Sequence, residues 1–188
     1  MNKLIVISGP SGVGKGTIVK LLKNKYREEN KKLYVSISCT TRNIREGEID
    51  GVSYYFISEE DFLNRIKKGD FLEYNYYGTG KYYGTTKSTV INYLNDGYDV
   101  ILEIDINGYK QIKENYPDCL GIFIMPPSIE ALETRLRNRG TETMEAIQKR
   151  LITAETEIKE KDIYDYIIVN EHGKEQEAFQ KVYEIISK

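Results

Sequence analysis

The run Gly9-Pro10-Ser11-Gly12-Val13-Gly14-Lys15-Gly16-Thr17 has the spacing G-x-x-x-x-G-K and lies between an apolar segment at 4–7 and a stretch of helical periodicity. That pattern and setting fit a phosphate-binding loop. Polyphosphate is held by backbone N–H groups at close range, and a Cβ would block the approach, hence glycine at 9, 12 and 14. The helix that follows adds unpaired N–H groups and a positive dipole end, and Lys15 adds a full charge. A flexible glycine turn would leave Lys15 without a reason. The residue after Lys15 is Gly16, where a hydroxyl residue usually holds Mg²⁺, and Thr17 comes one place later. The direct metal contact is therefore open at this point, whereas the phosphate cradle is not.

Other chemistry-bearing residues are spread along the chain. Asp105 ends the apolar run at 100–104, as an acid does where it holds Mg²⁺ directly or through water; a helix N-cap is the competing reading. Arg135, Arg137, Arg139, Lys149 and Arg150 crowd one segment against Glu142 and Glu145. Such a face is often merely solvated, but Gly140 between two helical patterns suggests a hinged lid that brings guanidinium groups to a phosphoryl group. Arg42 and Arg45, three apart in a polar loop, suit a monophosphate, with tyrosine hydroxyls as further donors. Glu73, set among apolar and aromatic residues, needs a donor, and periodicity alone favours a structural Lys or Arg.

These residues need a scaffold, and the periodicity supplies one. Short apolar strands are expected at 4–8, 33–38, 100–105, 120–125 and 166–169, alternating with helices at 15–27, 88–96, 106–116, 128–138, 144–161 and after Gly173. Strand–helix alternation of this kind means an α/β fold with a parallel sheet and right-handed crossovers. Its ligands belong at the carboxyl ends of the strands, where the loop, Asp105, Pro126 and Asn170 fall. Residues 34–85 break the alternation: a strand at 54–57, a helix capped by Ser58, and a hairpin about Gly78-Thr79-Gly80 read as a mixed α/β insert.

The totals narrow the function classes. With 188 residues the chain suits one domain with a substantial core. A net charge of −2 gives no global field for nucleic acid or an anionic membrane, so any polyanion must meet local Arg and Lys clusters. Cys39 and Cys119 make no disulfide framework and no zinc spacing, which fits a reducing, cytoplasmic setting. No leader or membrane span is expected. The sole histidine, His172, leaves no Ser-His-Asp chemistry elsewhere and reads as a solvated surface residue.

Taken in order, the phosphate loop, 41–56, 71–73, 83–85, 101–108, Pro126-Pro127-Ser128, 135–142 and 168–170 resemble the guanylate kinase family across nearly the whole chain. The resemblance implies a P-loop nucleoside monophosphate kinase: a single domain with a core at 1–33, 86–125 and 162–188, a GMP-binding region at 34–85 and a helical lid at 126–161. It implies that Ser38, Arg42, Arg45, Tyr54 and Tyr83 hold the phosphate of GMP while Glu73 and Thr85 read guanine, with Asp105 near GMP and indirectly near Mg²⁺. Residues 9–17 with Arg135 and Asn170 would bind ATP, Asn170 near adenine. Lys15, Arg42, Arg139 and Arg150 would neutralise the transferring phosphoryl group, and Mg²⁺ would arrive with ATP. The implied reaction is ATP + GMP to ADP + GDP in purine nucleotide metabolism, by a monomer or homo-oligomer without nucleic-acid or membrane partners. Two alternatives stand beside it: a phosphopeptide-binding module of the same fold, and a related kinase with another phosphorylated acceptor. The intact loop speaks against the first, and Glu73 with Thr85 against the second.

Overall fold

A computed structural model describes residues 2–77, 80–138, 140 and 143–188. Among these, the strands are β1 (Leu4–Ser8), β2 (Leu33–Val35), β3 (Cys39–Thr40), β4 (Tyr55–Phe56), β5 (Phe71–Tyr77), β6 (Lys81–Thr86), β7 (Asp99–Glu103), β8 (Leu120–Met125) and β9 (Tyr166–Val169). The helices are α1 (Lys15–Glu28), α2 (Glu59–Lys68), α3 (Lys87–Asn95), α4 (Ile106–Asn115), α5 (Ile129–Asn138), α6 (Met144–Lys159) and α7 (Glu175–Ile186). The chain divides into two compact units: Met1–Leu4, Leu33–Leu102 and Asn107–Cys119 make the first, and Ile5–Lys32, Glu103–Ile106 and Leu120–Lys188 the second. The division falls within β1 and β7, so each of these strands runs through both units.

In the second unit β1, β8 and β9 are parallel neighbours, in register from Ile5↔Leu120 and from Ile122↔Tyr166. All of β1 is buried, as are residues 121–124 of β8, which is why both read as unbroken apolar runs. Helix α1 buries Ile18, Val19, Leu22 and Tyr26 along one face. Helix α6 is capped by Thr143, whose Oγ1 accepts the Ala146 N–H, and it packs Ile147, Leu151 and Ala154 against Leu132 and Leu136 of α5. It stops at Lys159, and the last expected turn is a 3₁₀ segment, Lys161–Ile163.

In the first unit β2 and β7 are parallel, and the Lys3 carbonyl accepts the Val100 N–H. The strand expected at 33–38 breaks after Val35, and its continuation is β3, which joins the four-stranded sheet β4-β3-β6-β5. That sheet is mixed: β3 and β4 are parallel, while β6 is antiparallel to β3 and to β5. Helix α2, capped by Ser58 and closed by Gly69, drives Phe62 into stacks with Phe71 at 4.4 Å and Tyr82 at 5.1 Å. Gly84 makes room for this: a Cβ there would come within 3.0 Å of the Phe62 ring and of the Glu73 carbonyl oxygen. The close packing sets β5 and β6 in a register that pairs Glu73 with Thr85. Gly78 and Thr79 of the expected hairpin lie outside the described residues. The run at 100–105 ends as a strand at Glu103, so Asp105 lies two residues beyond β7.

Candidate active site

In the second unit the chain leaves β1 into the glycine loop and enters α1 without a side-chain cap, since Gly14 occupies the N-cap with φ of 101°. Two glycines are imposed by close approach as well as by positive φ. A Cβ on Gly9, φ 142°, would lie 2.1 Å from the Ile124 carbonyl oxygen, and one on Gly14 would lie 2.6 Å from Asn170 Nδ2. Gly16 differs, because a Cβ there would meet nothing within 4 Å. Packing does not impose the missing hydroxyl.

Lys15 Nζ donates to the Gly9 carbonyl at 2.5 Å and the Pro10 carbonyl at 3.2 Å, so the ammonium curls over the loop. Asn170, 1% exposed, supports it from below: Nδ2 donates to the Val13 carbonyl at 2.8 Å, and its N–H donates to the Met125 carbonyl. Its Oδ1 is buried without a hydrogen-bond partner among the described residues. Arg135 donates to the carbonyls of Val13 (3.2 Å) and Asn170 (2.7 Å), and Arg150 donates to the Ser11 hydroxyl. Two arginines of the basic segment thus turn to the loop, whereas Arg137 pairs with Glu133 on its own helix. Arg139 lies outside the described residues.

A cavity beside the loop is lined by Gly12, Gly14, Thr17, Arg135, Asn138, Asn170, His172 and Glu175. His172 is exposed as expected, yet it forms part of this wall. A wall position for His172 goes beyond the surface role expected of it, and nothing in the spacing of Asn138 or Glu175 marks them in the sequence.

Acids also surround Lys15. Burial pushes the half-buried Glu157 above the usual carboxylate range, with the Lys15 ammonium pulling it down and the Asp105 carboxylate pushing it up. Nothing in the spacing of Glu157 along α6 marks it in the sequence. Among the described residues no group of three or more His, Cys, Asp or Glu could hold a metal by itself. Asp105 and Thr17 are oxygen ligands of the kind Mg²⁺ accepts when substrate phosphates and water complete its shell.

The first unit holds the other candidates. Glu73 is 5% exposed and Thr85 fully buried, and the Thr85 hydroxyl donates to Glu73 Oε1 at 2.6 Å. A cross-strand hydroxyl therefore meets this oxygen where a basic partner was expected. Arg42 sits with its guanidinium carbon 5.4 Å from the Tyr54 ring centre and 5.6 Å from that of Phe56. Its Nε donates to the Tyr83 hydroxyl at 3.2 Å. Its two terminal nitrogens grip Glu48, Nη1 to Oε2 at 2.9 Å and Nη2 to Oε1 at 2.7 Å. The Arg45 N–H donates to the same carboxylate at 2.8 Å. Arg42 and then the Arg45 amide hold the Glu48 carboxyl at about 2, well below its ordinary value of 4.5. Glu48 was not among the sequence candidates, since an acid in a polar loop carries no signal of its own. Tyr54 and Tyr83 meet edge to face at 5.9 Å, and Ser38 is half-buried, its carbonyl accepting the Tyr55 N–H. Arg45 is exposed. Asp105 belongs to the second unit and the remaining expected GMP residues to the first.

The sequence profile of the family described as guanylate kinase matches residues 1–188. A guanylate kinase of Clostridium tetani is 52% identical over 185 residues, covering 98% of this chain and 85% of that protein. One from Prochlorococcus marinus subsp. pastoris is 51% identical over 170 residues, 90% of each chain. Among solved structures, the crystal structure of guanylate kinase from Anaplasma phagocytophilum superposes with a TM-score of 0.75 at 32% identity, over 99% of this chain and 85% of that one.

Proposed function

The chain belongs to the guanylate kinase family, and from that premise we propose that it transfers the γ-phosphoryl group of ATP, bound with Mg²⁺, to the phosphate of GMP, giving ADP and GDP. The observation that carries the acceptor is the buried Glu73–Thr85 pair, 2.6 Å apart. Guanine presents N1–H and a 2-amino group side by side, two donors matched to one carboxylate, while the threonine hydroxyl fixes that carboxylate and can accept in turn. Arg42, Arg45, Tyr83, Tyr54 and Ser38 are the donors suited to the GMP phosphate.

On the donor side, loop 9–17 cradles the triphosphate, and Lys15 exchanges its two carbonyl partners for phosphate oxygens. Arg135 and Arg150 already lie against the loop, where their charge offsets the negative charge of the triphosphate. Arg139 is assigned the same task from the sequence. Asn170 braces the loop and contributes to the cavity wall that suits the adenine end. Asp105 and Thr17 are the residues suited to order the water and phosphate shell of the Mg²⁺ that ATP carries. The attacking oxygen of GMP is already an anion, so the chemistry requires positioning and charge neutralisation and no general base. The division into core (1–33, 86–125, 162–188), GMP-binding region (34–85) and lid (126–161) is part of this reading.

A coupled assay of ADP formation with GMP, AMP, CMP and dTMP as acceptors tests it. Turnover with GMP and little with the others is expected. Equal or better turnover with another acceptor would move the chain to a related kinase activity. No turnover with any of them, together with phosphopeptide binding, would make it a binding module.

A further inference from the structure

A guanidinium has five N–H donors, and in this structure four of those on Arg42 are engaged. Nη1 gives one to the Asn43 carbonyl at 2.7 Å and one to Glu48, Nη2 gives one to Glu48, and Nε gives its own to Tyr83. The Glu48 fork takes the end of the guanidinium, and Asn43 takes the flank beside the aliphatic stem. What remains is the edge shared by Nε and Nη2, with one N–H to offer and the Tyr83 hydroxyl beside it. The pair is largely shielded, Arg42 being 12% and Glu48 21% exposed in their side chains, and the rings of Tyr54 and Phe56 bound the guanidinium.

We infer that Glu48 is a positioning residue for the acceptor phosphate, a role resting on the reading of this site as the GMP phosphate site. By clamping the end of the guanidinium it turns the Nε/Nη2 edge, with Tyr83, toward the phosphate, and through the Arg45 N–H it sets the backbone from which the second arginine extends. Glu48 is an anion in an anion site, so its net effect on a second anion could have either sign. Four engaged donors decide the sign: the phosphate needs Arg42 held, and the clamp supplies the holding. Loss of the clamp releases a long, rotatable side chain that must then be ordered by GMP itself.

The test compares wild type with Glu48→Gln and Glu48→Asp, measuring KM for GMP, KM for ATP and the inhibition constant of guanosine, which carries the base and no phosphate. Glu48→Gln replaces one acceptor by an amide N–H₂ that opposes Nη1 or Nη2, so its KM for GMP should rise about tenfold or more. Its KM for ATP and the guanosine constant should stay within about twofold of wild type. Glu48→Asp keeps the carboxylate and should recover part of the loss. An unchanged or lower KM for GMP in Glu48→Gln would overturn the role, showing a spectator or a competing anion. A guanosine constant that worsens in parallel would overturn it too, because the whole pocket would then be damaged. Wild type separates the two layers: if it turns over GMP while Glu48→Gln is normal, only the Glu48 role fails. If wild type does not use GMP, the reading of the site fails with it.

Discussion

Glu73 brings a carboxylate into a place only 5% exposed, and such burial is tolerated when the oxygens meet donors. Thr85 supplies one proton, and on the proposed reading guanine supplies two. Charge-assisted hydrogen bonds of this kind contribute ~1.5–3 kcal/mol each. A site left with unpaired buried groups can reject the wrong ligand by ~10⁴. GMP should therefore exceed AMP by several orders of magnitude in kcat/KM, with IMP, which keeps N1–H and lacks the amino group, between them. Glu73→Gln should lower GMP activity and narrow the gap to AMP, because its amide can donate to adenine N1. Full GMP preference in that variant would mean guanine is read elsewhere.

The Arg42–Glu48 pair makes a second prediction at this scale. Glu48 has its folded-state carboxyl depressed from 4.5 to about 2, first by Arg42 and then by the Arg45 N–H. A depressed carboxyl contributes stability that is fully present above about 4.5 and is lost as pH falls toward about 2. Carboxyl-carbon NMR titration should place the Glu48 midpoint near 2, and Arg42→Ala should return it toward 4.5. A midpoint near 4.5 in wild type would mean that the pair does not persist in solution.

The G-x-x-x-x-G-K spacing marks the loop and the charge clusters mark the arginines, whereas Glu73 and Thr85 are pointed to guanine only by the resemblance to the family. Partners brought together from opposite sides of a loop or from another element were not legible. Glu48 and Glu157 have no periodicity or motif to announce them. Asn170 could be placed at the end of the last strand, but its 2.8 Å bond to Val13 depends on how β9 sits beside β8.

At the scale of elements, the loop between β1 and α1 is fixed by what lies against it. Gly9→Ala puts a methyl group 2.1 Å from the Ile124 carbonyl oxygen at φ 142°, costing about 1–3 kcal/mol in backbone strain alone, so nucleotide binding should fall with stability. Gly16→Ala meets empty space and lies in the helix, where replacing glycine should add about 0.5–1 kcal/mol. Urea unfolding midpoints should move in opposite directions for the two variants; a shared direction would mean the loop adopts another path. Leu136, 2% exposed, packs in the α5–α6 core and would contact a Cβ on Gly12 at 2.8 Å. Leu136→Ala should cost about 2–5 kcal/mol, and it should raise KM for ATP because Arg135 and Arg150 are carried on these two helices. A stability loss with ATP kinetics unchanged would uncouple that core from the loop.

The elements themselves were largely legible because parallel strands buried on both faces read as apolar runs and the helices carry clear stripes. The strand boundaries were less legible. At 33–38 and 54–57 the strand pairing is shorter than the extended-looking run: β2 pairs with β7 over Leu33–Val35 and β4 with β3 over Tyr55–Phe56, with single backbone hydrogen bonds from Ser36 to Ile101 and from Ile57 to Thr40 beyond them. Strand length is set by pairing, and composition does not report pairing.

At the scale of the whole molecule, the account is one of two anionic substrates and a protein with net charge −2. Attraction must then come from local clusters, the loop with Lys15, Arg135 and Arg150, and separately Arg42 with Arg45. Lys15 is the cation whose loss should damage turnover more than binding. Lys15→Ala is expected to lower kcat by about 10²-fold or more with a milder change in KM for GMP. A near-normal kcat would remove it from the mechanism.

The most direct measurement of the central claim follows the phosphorus NMR spectrum of ATP, Mg²⁺ and GMP mixed with the enzyme. The account predicts that the γ-phosphate of ATP and the monophosphate of GMP disappear together, and that the two diphosphates ADP and GDP grow in equal amounts, with little inorganic phosphate. Growth of inorganic phosphate with GMP intact would show hydrolysis in place of transfer, and an unchanged spectrum would show no kinase at all; either result contradicts the account.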